Sequence, residues 1–460
     1  MKALLRGALR LSLLGLAAVA LPGGSSCDGN LGGVSTGPVS FRVSVASNFT
    51  PANGQSSYPS ASRDGNLVAF ASRAGNLAPS PTSFKEIFVR NRLAQTVVSA
   101  SKLAFITDPS GAADCDRPMI SADGLWLVFE SKGDINAETP APGAEAASVI
   151  YRKNIDPTLT GNAVAVILGP GFFPPAWPDA DCVNASISED GGVVVFESRA
   201  TNLATTVPYA NPGFTQSVFV ADFRLGSPET RLVSRADGTT GTPAGTSGNA
   251  RVSADGNWIV FESTATNLLP TPVPAGVRRI YRAATDGSSM ELVSRQTGLA
   301  GAEATSNCIS PSPSRDGSVV SFLTVGGGNL QTQPDGIGLP VIVRDLTDPL
   351  NPVTRQIASD SFIFFTSGDR TWMSDDGRTF LYSGIRADGA DLEIRLADAF
   401  GGGSIGVSRG VVTQASTLQE FPQVALSGDG RWAFWWADFA SEVFNDTNDI
   451  GDVFGYGPLR

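Results

Sequence analysis

The sequence predicts an all-β protein: a seven-bladed β-propeller of four-stranded antiparallel blades, its ring closed by an N-terminal strand that completes the last blade. Three observations predict it. A Ser-x-Asp-Gly tetrapeptide occurs seven times, ending at Gly65, Gly124, Gly191, Gly256, Gly317, Gly377 and Gly430. Five residues after each Gly stands an aromatic: Phe70, Phe129, Phe196, Phe261, Phe322, Tyr382 and Trp435. Each unit also holds four short strand-like segments, and nothing in the repeat region reads as a long amphipathic helix.

The N-terminus comes first. Lys2, Arg6 and Arg10 precede an eleven-residue apolar run, 11–21. That matches a signal-peptide core and is too short for the roughly 20 residues of a membrane-spanning helix. Residues 1–26 are therefore expected to direct export. Residues 24–27 (GSSC) resemble a lipoprotein box that would lipidate Cys27, although Gly24 stands where that box usually has Leu. Ala18-Val19-Ala20 offers an ordinary cleavage site as the alternative. The Gly- and Ser-containing stretch 27–36 reads as a flexible tether, and 37–460 as the propeller.

Within each repeat, the first strand runs into Ser-x-Asp-Gly, whose Asp-Gly suits a tight hairpin because Gly accepts positive φ. The second strand, such as 125–130 (LWLVFE) or 257–262 (NWIVFE), is apolar on both faces and so buried on both. The third follows a variable loop: 86–90, 149–152, 218–221, 279–282 and 341–345. The fourth ends in Ser: 96–99, 231–234, 291–294 and 404–408. The chain ends at 452–456 (DVFGY), which matches a third strand, whereas 41–44 (FRVS) reads as a fourth strand standing before the first repeat. Pairing the two closes the ring and removes open edges.

Composition narrows the chemistry. The 460 residues contain no histidine, which rules out a Ser-His-Asp triad and any His-ligated metal or haem. The formal net charge of −11 argues against nucleic acid as a partner. No residue pattern calls for a cofactor.

The unit S-x-D-G-x-x-[VIL]-x-F-x-S, followed by a strand like VFV and then RLVS, resembles the WD-like repeat of the TolB-type propellers of bacterial envelopes. The pairs Asn76-Leu77, Asn202-Leu203, Asn267-Leu268 and Asn329-Leu330 belong to the same pattern. The resemblance covers about 37–460, and repeats six (FLYS, 380–383) and seven (WAFWW, 432–436) depart from it. It implies a seven-bladed propeller, an envelope setting and an innermost first strand lining a central channel. The separate N-terminal α/β domain of TolB has no counterpart in residues 1–36, so TolB's partners and cell-division role are not carried over.

The seven aspartates, Asp64, Asp123, Asp190, Asp255, Asp316, Asp376 and Asp429, recur inside a turn and read as turn residues, not acids or ligands. Glu130, Glu197 and Glu262 follow the aromatic in repeats two, three and four only. They suit either cross-strand pairing with Arg152 and Arg282 or, as grouped carboxylates, glycoside chemistry or cation binding. Cys115, Cys182 and Cys308 each stand nine residues before a repeat Gly. The first two, in adjacent blades of an exported protein, are candidates for a disulfide, with Cys308 left as a small buried residue. Residues 402–406 (GGSIG) fit G-x-S-x-G by letters but lack a His partner. Residues 446–452 (DTNDIGD) loosely match a calcium loop through Asp446, Asn448 and Asp452, with Ile450 where a ligand belongs.

The expected function is a monomeric, non-catalytic binding scaffold of the periplasm or cell surface, touching membrane only through a lipid anchor. Its partner is another envelope protein or a surface glycan. The alternatives are a carbohydrate-active lyase or glycosidase using channel carboxylates, and a surface adhesion module.

Overall fold

Every Ser-x-Asp-Gly segment folds into the same turn. In the first, Ser62 Oγ donates to Asp64 Oδ1 at 2.7 Å, Asp64 Oδ1 accepts the Asn66 N–H at 2.9 Å, and Ser62 Oγ accepts the Leu67 N–H at 3.0 Å. The same three bonds recur in the other six turns. Each turn Gly has φ between +65° and +76°, where a Cβ is strained. The computed structural model describes residues 38–78, 84–101, 114–132, 147–156, 164–165, 178–203, 215–224, 229–237, 243–326, 328–332, 339–361, 371–385, 392–401, 404–408, 423–437 and 450–459. They belong to one compact unit, Gly37–Arg460. Residues 1–36, with Cys27, lie outside them.

The turns join strands in antiparallel sheets. β1 is Val39–Arg42. Blade one holds β2 (Ser56–Ala61), β3 (Leu67–Ser72), β4 (Glu86–Asn91) and β5 (Thr96–Ser99). Blade two holds β6 (Cys115–Ile120), β7 (Trp126–Ser131), β8 (Val149–Asn154) and β9 (Val164–Ala165). Blade three holds β10 (Cys182–Ile187), β11 (Val193–Ser198), β12 (Ser217–Asp222) and β13 (Glu229–Leu232). Blade four holds β14 (Ser247–Val252), β15 (Trp258–Ser263), β16 (Arg279–Ala284) and β17 (Met290–Leu292). Blade five holds β18 (Asn307–Pro313), β19 (Val319–Val325), β20 (Leu339–Asp345) and β21 (Val353–Ser361). Blade six holds β22 (Trp372–Met373), β23 (Thr379–Ile385), β24 (Leu392–Asp398) and β25 (Ser404–Gly406). Blade seven holds β26 (Val424–Leu426), β27 (Ala433–Ala437) and β28 (Asp452–Gly457). No helix occurs among the described residues, so none there is long and apolar enough to cross a membrane.

Blade seven takes its fourth strand from the N-terminus. β1 pairs antiparallel with β28, Val39 opposite Gly457 and Arg42 opposite Phe454. The expected closure is thus formed, two residues upstream of 41–44. Behind it, Ser44 Oγ donates to Asp452 Oδ1 at 2.5 Å and Arg42 Nε lies 3.4 Å from Asp452 Oδ2. A single ladder bridge, Ser361 to Gly384, links the sheets of blades five and six.

Apolar packing between blades fills seven clusters, one at each junction, the last joining blades seven and one. The repeat aromatics are their anchors, each at most 1% exposed. Burying one contributes about 2–3 kcal/mol. Phe70, Phe129, Phe196 and Phe261 stack on Phe88, Tyr151, Phe219 and Tyr281 of the facing third strand, with centroids 5.6–6.0 Å apart. The Asn of the Asn-Leu pairs ties the end of the second strand to the chain entering the first. Asn267 Oδ1, for example, accepts the Ala244 N–H at 2.8 Å, while its Leu268 is buried.

The turns also bind one another. Backbone N–H to C=O bonds run Arg63 to Ala122, Asp123 to Glu189, Glu189 to Ala254, Asp255 to Arg315, Arg315 to Asp375, Asp375 to Gly428, and Asp429 back to Arg63, at 2.8–3.2 Å. This annulus encircles one end of the axis.

Candidate functional site

The first strands β2, β6, β10, β14, β18, β22 and β26 surround the axis. Those of blades one to five carry a register shift, with a residue in the left-handed region at its centre: Tyr58, Arg117, Asn184, Asn249 and Ser310, φ +46° to +55°. Such a bulge turns a backbone N–H out of its own ladder and leaves it in need of an acceptor.

Two of the three glutamates meet that need. Glu130 Oε1 accepts the N–H of Asn184 at 2.7 Å, and Glu262 Oε2 accepts that of Ser310 at 3.0 Å, each in the following blade. Glu197 differs: its Oε2 accepts from Gln216 Nε2 of its own blade at 3.1 Å, while its buried Oε1 has no hydrogen bond among the described residues. Burial pushes the Glu197 carboxyl above the ordinary carboxylate range; Gln216, Asn184 and the Ala250 N–H oppose this. In blade one Gln423 Oε1 plays the part, accepting the Tyr58 N–H. Glu130 and Glu262 therefore join blades; all three carboxylates are 3–7% exposed.

The expected pairing with Arg152 and Arg282 does not occur. The ladder sets Glu130 opposite Ile150 and Glu262 opposite Ile280, whereas Arg152 and Arg282 stand opposite Val128 and Val260, two residues away. Glu130 Oε1 instead lies 3.7 Å from Arg117, and Glu262 Oε1 takes a 2.5 Å bond from Arg278. The Arg152 guanidinium lies 3.4 Å from the Trp126 ring centroid and Arg282 lies 4.2 Å from that of Trp258. Each also donates to the turn of the next blade, Arg152 to Gly191 and Arg282 to Gly317.

The axis is occupied by side chains. Trp372 of β22 packs against the clusters on three junctions, and Arg251 of β14 sits 4.4 Å over its ring while donating to the Thr371 carbonyl. At the annulus, the x residues of Ser-x-Asp-Gly form an ionic cap. Arg63 Nη1 lies 3.0 Å from Glu189 of blade three, Arg63 Nε lies 2.7 Å from Asp375 of blade six, and Arg315 of blade five pairs with Glu189. Desolvation raises the Glu189 and Asp375 carboxyl pKa values, opposed in each by Arg63. These x positions vary from repeat to repeat, so the repeat pattern does not mark them. Their one signal was opposite charges at equivalent positions of a closed ring.

Cys115, Cys182 and Cys308 are buried thiols in no disulfide, so the expected Cys115–Cys182 bridge is absent. Cys115 lies in the cluster between blades one and two, Cys182 in that between blades two and three, and the sheet of blade two separates them. Burial pushes all three thiols up to about 12, far from a reactive thiolate. Ser404 of the GGSIG segment, in β25, accepts hydrogen bonds from Arg395 of β24. Asp446 and Asn448 lie outside the described residues, and Asp452 is buried in the β1 seam. Among the described residues no three His, Cys, Asp or Glu side chains gather as a metal site.

No protein-family model and no curated protein matches the sequence. Solved structures do. An oligogalacturonate lyase in complex with manganese superposes with a TM-score of 0.52 at 13% identity, covering 92% of this chain and 93% of that one. The β-propeller domain of the Trilobed protease from Pyrococcus furiosus, described as having an open velcro topology, gives 0.51 at 10% identity, covering 88% and 95%. TolB from Acinetobacter baumannii gives 0.34 at 14% identity, covering 70% and 64%. What the chain shares with the first two is the seven-bladed propeller fold; here, unlike an open ring, β1 seals the seam.

Proposed function

We propose that the protein is a TolB-like, non-catalytic binding scaffold of the bacterial cell envelope, exported by residues 1–26 and held there through Cys27. The observation that carries this reading is the fate of the carboxylates. Glu130 and Glu262 are engaged between blades, Glu197 is buried, and Trp372, Arg251 and the ionic cap narrow the axis to a cavity of about 10 Å³ beside Glu197, too small for a sugar. A general acid–base pair needs carboxyl groups that reach substrate. Binding surface is left to the exterior and the long connections; 264–278 lies at the end opposite the annulus, and 199–217 is a second candidate by length.

The test is cross-linking of tagged protein in envelopes of its own host, followed by identification of what is captured. One stoichiometric protein partner is expected, lost on deletion within 199–217 or 264–278 or on blocking the seam of blades seven and one. The tagged protein should leave the membrane fraction in a Cys27→Ser variant. Turnover of a polysaccharide by the purified protein would overturn the non-catalytic reading.

A further inference from the structure

Where blade seven closes on blade one, a groove of about 750 Å³ opens between β1 and the turn after β4. That volume lies within the range of ligand sites, roughly 300–1,000 Å³. Its walls carry cations in an otherwise acidic molecule. Arg92 is held between Phe41 and Trp432, 4.5 and 3.6 Å from their ring centroids, and donates to the Gly65 carbonyl. Arg90 donates to the carbonyls of Val45 and Ala46 and stands 5.9 Å from the ring centroid of Phe49. Neither has an ion-pair partner among the described residues. Desolvation lowers the pKa of both, Arg92 to about 10, so an arriving anion would relieve a buried charge.

Three further features face the same space. Phe49 is 57% exposed at a turn tip, with φ +67°, a costly conformation for an aromatic residue. Leu93 is 84% exposed on the opposite rim. β1 is the outer strand of its blade. Val43 N–H bonds the Val453 carbonyl, so alternation along the ladder turns the backbone of Ser40 away from β28. The Ser40 hydroxyl, also at the groove, is buried without a hydrogen bond.

We propose that this groove docks an extended acidic peptide segment of a partner protein, which adds to the outer edge of β1 and lays carboxylates against Arg90 and Arg92. The proposal rests on the binding-scaffold reading. An open strand edge complements a peptide backbone and not a sugar ring. The net charge of −11 repels an acidic segment from the acidic surface and so favours this basic seat.

The probe is a fluorescein-labelled hexapeptide alternating Glu with Val or Phe, titrated with mature protein and read by anisotropy. Its Lys-for-Glu counterpart and a uronate oligosaccharide serve as comparisons. The acidic peptide should bind, more weakly as salt rises, and the Lys peptide should not. Ser40→Pro removes the outward N–H and blocks strand addition; Leu93→Glu adds a like charge at an exposed site. Each should weaken binding about fivefold or more, while Leu350→Glu, on an exposed turn of blade five, leaves it unchanged. No binding of the acidic peptide, or binding indifferent to both variants, overturns the proposal. So does uronate binding that responds to Leu93→Glu and not to Ser40→Pro. If Ser40→Pro protein still captures its partner in envelopes, the scaffold reading stands and this groove is not its seat.

Discussion

A buried carboxylate is tolerable only where hydrogen bonds replace lost water. Glu130 and Glu262 have such bonds to the next blade; Glu197 leaves one oxygen without any. Because burial raises the Glu197 pKa, the folded protein holds this proton more tightly than the unfolded chain. The stability contributed by Glu197 therefore falls as pH rises from its ordinary value of 4.5 through the raised one. Glu197→Gln carries no such dependence. Urea denaturation between about pH 4 and pH 8 should show the variant gaining on the parent as pH rises; a pH-independent difference would refute the desolvation. The turn glycines give a second prediction. A Cβ on Gly65 would lie 2.6 Å from Trp432, whereas one on Gly276, also at positive φ, meets nothing within 4 Å. Gly276→Ala should cost about 1 kcal/mol and Gly65→Ala about 3 kcal/mol by denaturant titration. Equal losses would mean that packing of the turn on Trp432 contributes nothing.

At the scale of the element, hydrophobic pattern made most strands legible. Segments buried on both faces, such as 126–131 and 193–198, cannot be mistaken for solvated loops. Observed boundaries differ from expected ones by a residue or two, because pattern marks burial while hydrogen bonds mark the strand. β21 went unrecognised, since VTRQIASDS is polar and packs at a rim. Partners of charged side chains were the least legible part. A shift of two along a ladder moves Arg152 from Glu130 to the ring of Trp126, and no single strand encodes that offset. β1 is the element whose loss should matter most. Deleting residues 38–44 removes a strand, the Ser44–Asp452 bond and the seal on blade one. Loss of the cooperative thermal transition is expected, and an unchanged transition would rule out closure by β1.

For the whole molecule, stability is distributed over seven equivalent junctions, so a break in the ring and a break in the axial cap differ in consequence. The cap is part-exposed: the Arg63 side chain is 37% accessible and Glu189 21%. Such pairs contribute little. Arg63→Ala should cost at most about 1 kcal/mol in a denaturant titration, far less than deletion of 38–44. A loss approaching that of the deletion would make the cap, and not β1, the principal lock.

The sequence by itself determined the repeat, the turn chemistry, the strand order and the closure, because these depend on local residue types and on a period that recurs seven times. Tertiary structure alone decided what the polar groups do. The bulged first strands direct amides at the glutamates of the preceding blade, and sheet register sends the arginines to aromatic rings. The blade-two sheet keeps Cys115 from Cys182, and the closed ring brings Arg63, Glu189, Arg315 and Asp375 together across the axis. Each of these contacts joins residues dozens to hundreds of positions apart, at distances set by how blades face one another, and local pattern carries no record of that facing.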